Sequence, residues 1–181
     1  MTDAGDDEAI ARLDALPRAE AEAALLACCG SSRWARQVED RRPFASADAL
    51  RAAADEVWWS LGPGDWLEAF RAHPRIGERE AAAPRGAGSR AWSDGEQAGM
   101  RDAAAEVRAA LAEGNREYEA RFGHIFIVCA TGRSAGEMLA LLTRRLGNEP
   151  AEELRAAAEE QRKITRLRLD KLLDTRPAPA P

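Results

Sequence analysis

Only one stretch of the chain, residues 123–130 (GHIFIVCA), reads as a β-strand, and that single run decides the fold class. The N–H and C=O groups of a strand need a neighbouring strand to pair with. With no second candidate, the run is expected to be a buried extended segment or the start of a helix. The rest of the fold must then come from helices, and composition agrees. Alanine, glutamate, leucine and arginine dominate while aromatics are 6%, which is the composition of packed helices.

Helical patterns do follow one another, divided by Gly and Pro. They are expected over Glu8–Leu16, Arg18–Cys29 (with Gly30 closing the helix), Ser32–Asp40, Ala47–Leu61 and Asp65–Ala72. Gly62-Pro63-Gly64 breaks the fourth from the fifth. A long helix starts at Ser93 and reaches Glu113 or, past Gly114, Arg121; two more cover Ser134–Leu146 and Pro150 to about Leu173. The expected architecture is all-α, a single-domain bundle of about seven to nine helices over residues 8–174. A disordered start (1–7) and tail (175–181, TRPAPAP) flank it, the prolines of the tail excluding a helix. Residues 77–92, rich in Gly, Pro and Arg, read as a mobile loop.

Several classes of function drop out. A net charge of −5 argues against nucleic-acid binding through a broad basic surface. No run reaches the roughly 18 apolar residues of a membrane span. The acidic start MTDAGDDEAI is unlike a signal peptide and the chain does not end in S-K-L, so a cytoplasmic location is expected. Three cysteines (two adjacent, Cys28 and Cys29, plus Cys129) read as reduced thiols, Cys129 as inert. Two histidines and no C-x-x-C leave no zinc site of the usual kind.

Four features carry possible chemistry. His73 precedes Pro74, which pushes it out of helical backbone so that its ring can enter a cleft; it can equally cap the helix before it. The other histidine, His124, reads as structural. SDGEQ (93–97) has the capping-box spacing of Ser93 and Glu96, and a helix start also offers N–H groups to an anion, with Glu96 or Gln97 facing it. Near the end of the chain, Ile164, Leu167 and Leu172 form the expected apolar stripe, with Leu169 off it. Arg168 is expected to be half-buried there, meeting either an anion or an internal carboxylate. Gly123 reads as a place where backbone comes close to something, and Phe126–Ala130 as core.

Five blocks, WLEAFRAHPRIGE, SDGEQ, NREYEARFGHIFIVCATGRS, RLGNEPAEEL and KITRLRL, stand in the order in which they resemble the 2-oxo-4-hydroxy-4-carboxy-5-ureidoimidazoline (OHCU) decarboxylases of urate breakdown. The resemblance runs from about residue 8 to 173. It implies a cofactor-independent decarboxylase that forms (S)-allantoin and carbon dioxide from a small ureide, with no metal and as a homodimer. It implies catalytic roles for His73, Glu96 and Arg168. It also implies substrate contacts from Pro74, Ser93, Glu96, Gln97, Arg168 and the segment Phe126, Ile127, Val128, Cys129 and Ala130. A ureide hydrolase or isomerase on the same scaffold and a non-catalytic helical module are the rivals.

Overall fold

A computed structural model of the chain describes residues 4–74 and 105–174. Among these are eight helices and no strand: α1 (Ala4–Ala15), α2 (Arg18–Cys29), α3 (Ser32–Glu39), α4 (Ala47–Ser60), α5 (Pro63–Arg71), α6 (Ala105–Phe122), α7 (Ala135–Arg145) and α8 (Pro150–Asp174). The all-α expectation stands, and most helix ends fall where the breakers put them.

Two starts move. Helix α1 opens at Ala4 rather than Glu8, with Asp6 and Asp7 in its first turn, where acids favour the positive end of the helix dipole. Gly62-Pro63-Gly64 ends α4 but also begins α5, two residues ahead of Asp65. Pro63 sits in the first turn, where its missing N–H costs nothing, and the Asp65 carboxylate accepts the Gly62 N–H. Elsewhere the caps are those the sequence offers. Ser31, Ser46 and Ser134 side chains accept the N–H of Trp34, Ala49 and Glu137. The expected helix start at Ser93 and the loop 77–92 lie outside the described residues.

Two apolar clusters make the interior. The larger joins α1–α5 to α8 and includes Leu25, Trp34, Leu50, Val57, Trp58, Phe70, Ile164 and Leu169. Its tryptophans are tied down at their polar edges: the indole N–H of Trp34 donates to Ala54 O, and that of Trp58 to Ala158 O, each at 3.0 Å. The smaller cluster sits between α6 and α7 and includes Leu111, Tyr118, Met138 and Leu142.

The strand-like run passes between them as extended backbone without a sheet. Phe126, Val128 and Ala130 face the smaller cluster and Ile127 the larger, the two-residue alternation of extended chain. Side chains take the place of the missing strand. Arg145 Nη1 donates to Ile127 O (2.7 Å), Cys129 N–H donates to Glu160 Oε2 (2.8 Å), and Arg133 Nε donates to Cys129 O (3.1 Å). Buried backbone groups are thereby satisfied by α7, α8 and the turn that leads into α7.

Helix α8 corrects one expectation. Its buried face runs through Ala157, Gln161, Ile164, Thr165, Arg168, Leu169 and Leu173. Leu169 is fully buried while Leu167 and Leu172 are only partly so. Arg168, expected half-buried, is 2% exposed. The stripe keeps the helical period, but its inward face is partly polar, so a pattern traced through leucines alone picks the wrong ones.

Candidate active site

His73 follows directly on α5. Ala72 ends the helix, and the His73 N–H bonds back to Phe70 O at 3.1 Å. Pro74 prevents another helical turn. The imidazole turns inward, with Nδ1 3.4 Å from Arg168 Nη2. These side chains are 95 positions apart in the chain and come from α5 and α8. Arginine carries donors only, so in this contact a guanidinium N–H donates and Nδ1 accepts, the tautomer that carries its proton on Nε2.

Arg168 is held in a polar seam that the sequence did not reveal. Gln161, fully buried one face up α8, donates from Nε2 to Cys29 O (3.3 Å) and to Thr165 Oγ1 (3.2 Å). The Thr165 hydroxyl and the Ser31 N–H lower the Cys29 pKa, though less than burial raises it. Positions 161, 165 and 168 fall on one side of a helix (i, i+4, i+7), and that spacing was the available signal. Cys28 and Cys29 are both buried. Burial pushes the Cys29 thiol up to about 12 and raises that of Cys28 as well, against the opposing pull of Arg168. Both remain thiols and are poor nucleophiles.

The second histidine has another setting. His124 lies among Phe70, Tyr118 and Phe122, with ring centroids 5.3, 5.4 and 6.3 Å away. Burial lowers its pKa. Nearby, Arg145 Nε donates to Glu153 Oε1 (2.8 Å), the Tyr118 hydroxyl bonds the same carboxylate, and Asn148 Nδ2 donates to Glu153 Oε2 (2.7 Å). This network fixes the extended segment through Ile127 O. Gly123, expected to allow a close approach, has open space where a Cβ would go; its φ of +74° ends α6 instead.

The structure therefore brings His73 and Arg168 together and places Pro74, half-buried, next to His73 in the chain. Phe126, Ile127, Val128 and Ala130 are buried and Cys129 is half-buried between the two clusters. Ser93, Glu96 and Gln97 lie outside the described residues. Among the described residues no group of three or more His, Cys, Asp or Glu side chains is arranged to hold a metal ion.

A family model described as OHCU decarboxylase matches residues 14–170. The chain is 41% identical over 146 residues to the uric acid degradation bifunctional protein TTL of Arabidopsis thaliana, covering 80% of this chain and 45% of that protein. It thus spans less than half of that two-function relative. It is 39% identical over 134 residues to the 2-oxo-4-hydroxy-4-carboxy-5-ureidoimidazoline decarboxylase of Amia calva, covering 73% of this chain and 75% of that one. A crystal structure of an OHCU decarboxylase in the presence of (S)-allantoin superposes with a TM-score of 0.71 at 38% identity, covering 83% of this chain and 96% of that one.

Proposed function

The chain belongs to the OHCU decarboxylase family, and from that premise we propose that it removes carbon dioxide from OHCU and leaves (S)-allantoin. The observation that carries this reading is the 3.4 Å approach of His73 to Arg168, two side chains drawn from separate blocks of the sequence into one place.

The chemistry asks little of a cofactor. The carboxylate of OHCU sits on a carbon beside a ring C=N bond, which takes up the electron pair as carbon dioxide leaves. Most decarboxylases borrow such a sink; this substrate supplies one. The protein must orient the bond that breaks and deliver a proton to one face of the enol-like intermediate.

A neutral His73 whose Nδ1 lies toward Arg168 offers Nε2–H to the C4 hydroxyl or the carboxylate, and takes part in proton transfer. The sign of charge movement decides what Arg168 should touch. Negative charge leaves the carboxylate and spreads into the ring, so a guanidinium on a ring carbonyl gains strength in the transition state, whereas one on the carboxylate loses it. Arg168 therefore serves the reaction best on a carbonyl.

By membership of the matching blocks, Glu96 and Gln97 accept the ureido and ring N–H groups, Ser93 adds a further substrate contact, and Pro74 with Phe126–Ala130 walls the substrate. No helix among the described residues is long and apolar enough to cross a membrane. A homodimer in the cytoplasm completes the proposal, and light scattering on the purified protein checks the dimer. The rival helical module has no use for His73 and Arg168 in contact, and that contact favours the enzyme.

The test is direct. Purified protein is given freshly generated OHCU while circular dichroism and released carbon dioxide are followed. The expected result is enantiopure (S)-allantoin forming well above the blank rate. Racemic allantoin at the blank rate rejects the proposal.

A further inference from the structure

We propose that Gly30 and Gln161 are positioning residues that set the approach of His73 to Arg168; this rests on the decarboxylase reading of that pair. The end of α2 is the part that touches both sides. Gly30 has φ +86°, and its N–H closes the helix onto Leu26 O at 2.8 Å. A Cβ built on Gly30 lies 2.4 Å from Ala72 Cβ and 3.3 Å from Ala69 O. Backbone at residue 30 therefore rests directly on the last turn of α5, and only glycine leaves that space. Ala72 is joined to His73, whose own N–H is pinned to Phe70 O. Displacement of Ala72 passes to the imidazole within one residue.

On the other side, the carbonyl of Cys29 is gripped by Gln161 from α8. Gln161 also donates to Thr165 Oγ1 at 3.2 Å, one turn along the same face of α8. Arg168 stands on this same buried face, close enough for its charge to act on both Cys28 and Cys29. The Cys29–Gly30 step is thus a spacer: glycine lets α5 in, and the glutamine amide holds α8 on. The 3.4 Å distance between Nδ1 and Nη2 is at the long limit of a hydrogen bond, so a small outward shift breaks it.

The experiment relieves the contact it creates. Gly30→Ala drives a methyl group into Ala72, and kcat is expected to fall about 10–100-fold with a smaller change in KM, the scale set by misplacing catalytic groups by up to an ångström. Gly30→Ala combined with Ala72→Gly removes the struck methyl. It should recover most of kcat while its melting midpoint stays low, because alanine still carries the strained φ. Gly123→Ala, at φ +74° with open space around it, is the matched control: a lower midpoint and kcat as in wild type.

Imidazole 15N shifts of His73 give a readout apart from turnover, expected to change in Gly30→Ala and return in the double variant. If Gly30→Ala does not fold, Gln161→Met carries the test, with a lower kcat and the same change in the His73 shifts. The positioning claim is overturned by Gly30→Ala with wild-type kcat and shifts, by a double variant that stays with the single, or by Gln161→Met that matches wild type. A wild-type protein inert toward OHCU sinks the decarboxylase reading instead, and the 15N arm still decides the geometry.

Discussion

Among the described residues two arginines are buried, Arg145 and Arg168, each near a histidine, and they serve opposite ends. Arg145 is closed off. Glu153 neutralises it, Tyr118 Oη and Ile127 O accept further N–H groups, and His124 stands by among aromatic rings. Arg168 faces the imidazole of His73 just past the end of α5, on the same helix face as Gln161 and Thr165. The first arrangement replaces a missing β-partner and holds an extended segment in place. The second keeps an imidazole, which can give or take a proton, beside a guanidinium, which only donates hydrogen bonds, where a helix has just ended. What separates lock from site here is the partner and the backbone around it, since the residue types are the same.

Substitutions sharpen the contrast. The largest effect is expected at the site. His73→Asn should lower OHCU turnover by about 10²–10⁴, the usual worth of a positioned acid–base group, while thermal melting stays near that of wild type. Next comes the lock. Glu153→Ala strands Arg145 in the interior and should cost roughly 3–5 kcal/mol in chemical denaturation. If instead it folds as firmly as wild type, Arg145 is not held by that carboxylate and the contrast fails.

The smallest effect lies in pH. Burial holds His124 below its ordinary value of 6.5. The unfolded chain then takes up a proton near that pH which the folded chain refuses. Stability is therefore lost as pH falls from about 6.5 toward the folded value. Glu159, held below its ordinary value of 4.5 mainly by Arg162, releases its contribution only in more acid solution. His124→Phe should flatten the slope of denaturation midpoint against pH just below 6.5 and leave stability at pH 8 nearly unchanged. An unchanged slope would mean that His124 is not shielded.

The lock and the site were unequally legible. Helix ends could be read because Gly and Pro act locally: Gly30 ends α2 at the expected place, and Ser134 opens α7 with Glu137. His73 stood out because Pro74 restricts the residue before it. Arg168 could be picked out but not its depth, since charge argues for the surface and only a tertiary partner brings it inside. The seam of Gln161 and Thr165 was overlooked for a related reason. A buried face is sought among apolar residues, and polar ones join it only when other helices satisfy them. Glycine taught the same lesson. Gly123 and Gly30 share a positive φ, and only the packing of α5 on α2 tells which one makes room for a neighbour.

The central claim is that one imidazole and one guanidinium act as a unit on one substrate. A double-mutant cycle tests it most directly: kcat/KM for OHCU in wild type, His73→Asn, Arg168→Gln and the pair combined, each confirmed folded by far-UV dichroism. The account predicts severe loss in either single variant and little further loss in the double, as for groups that work only together. Losses that multiply, or a folded His73→Asn protein that turns OHCU over at the wild-type rate, would contradict it.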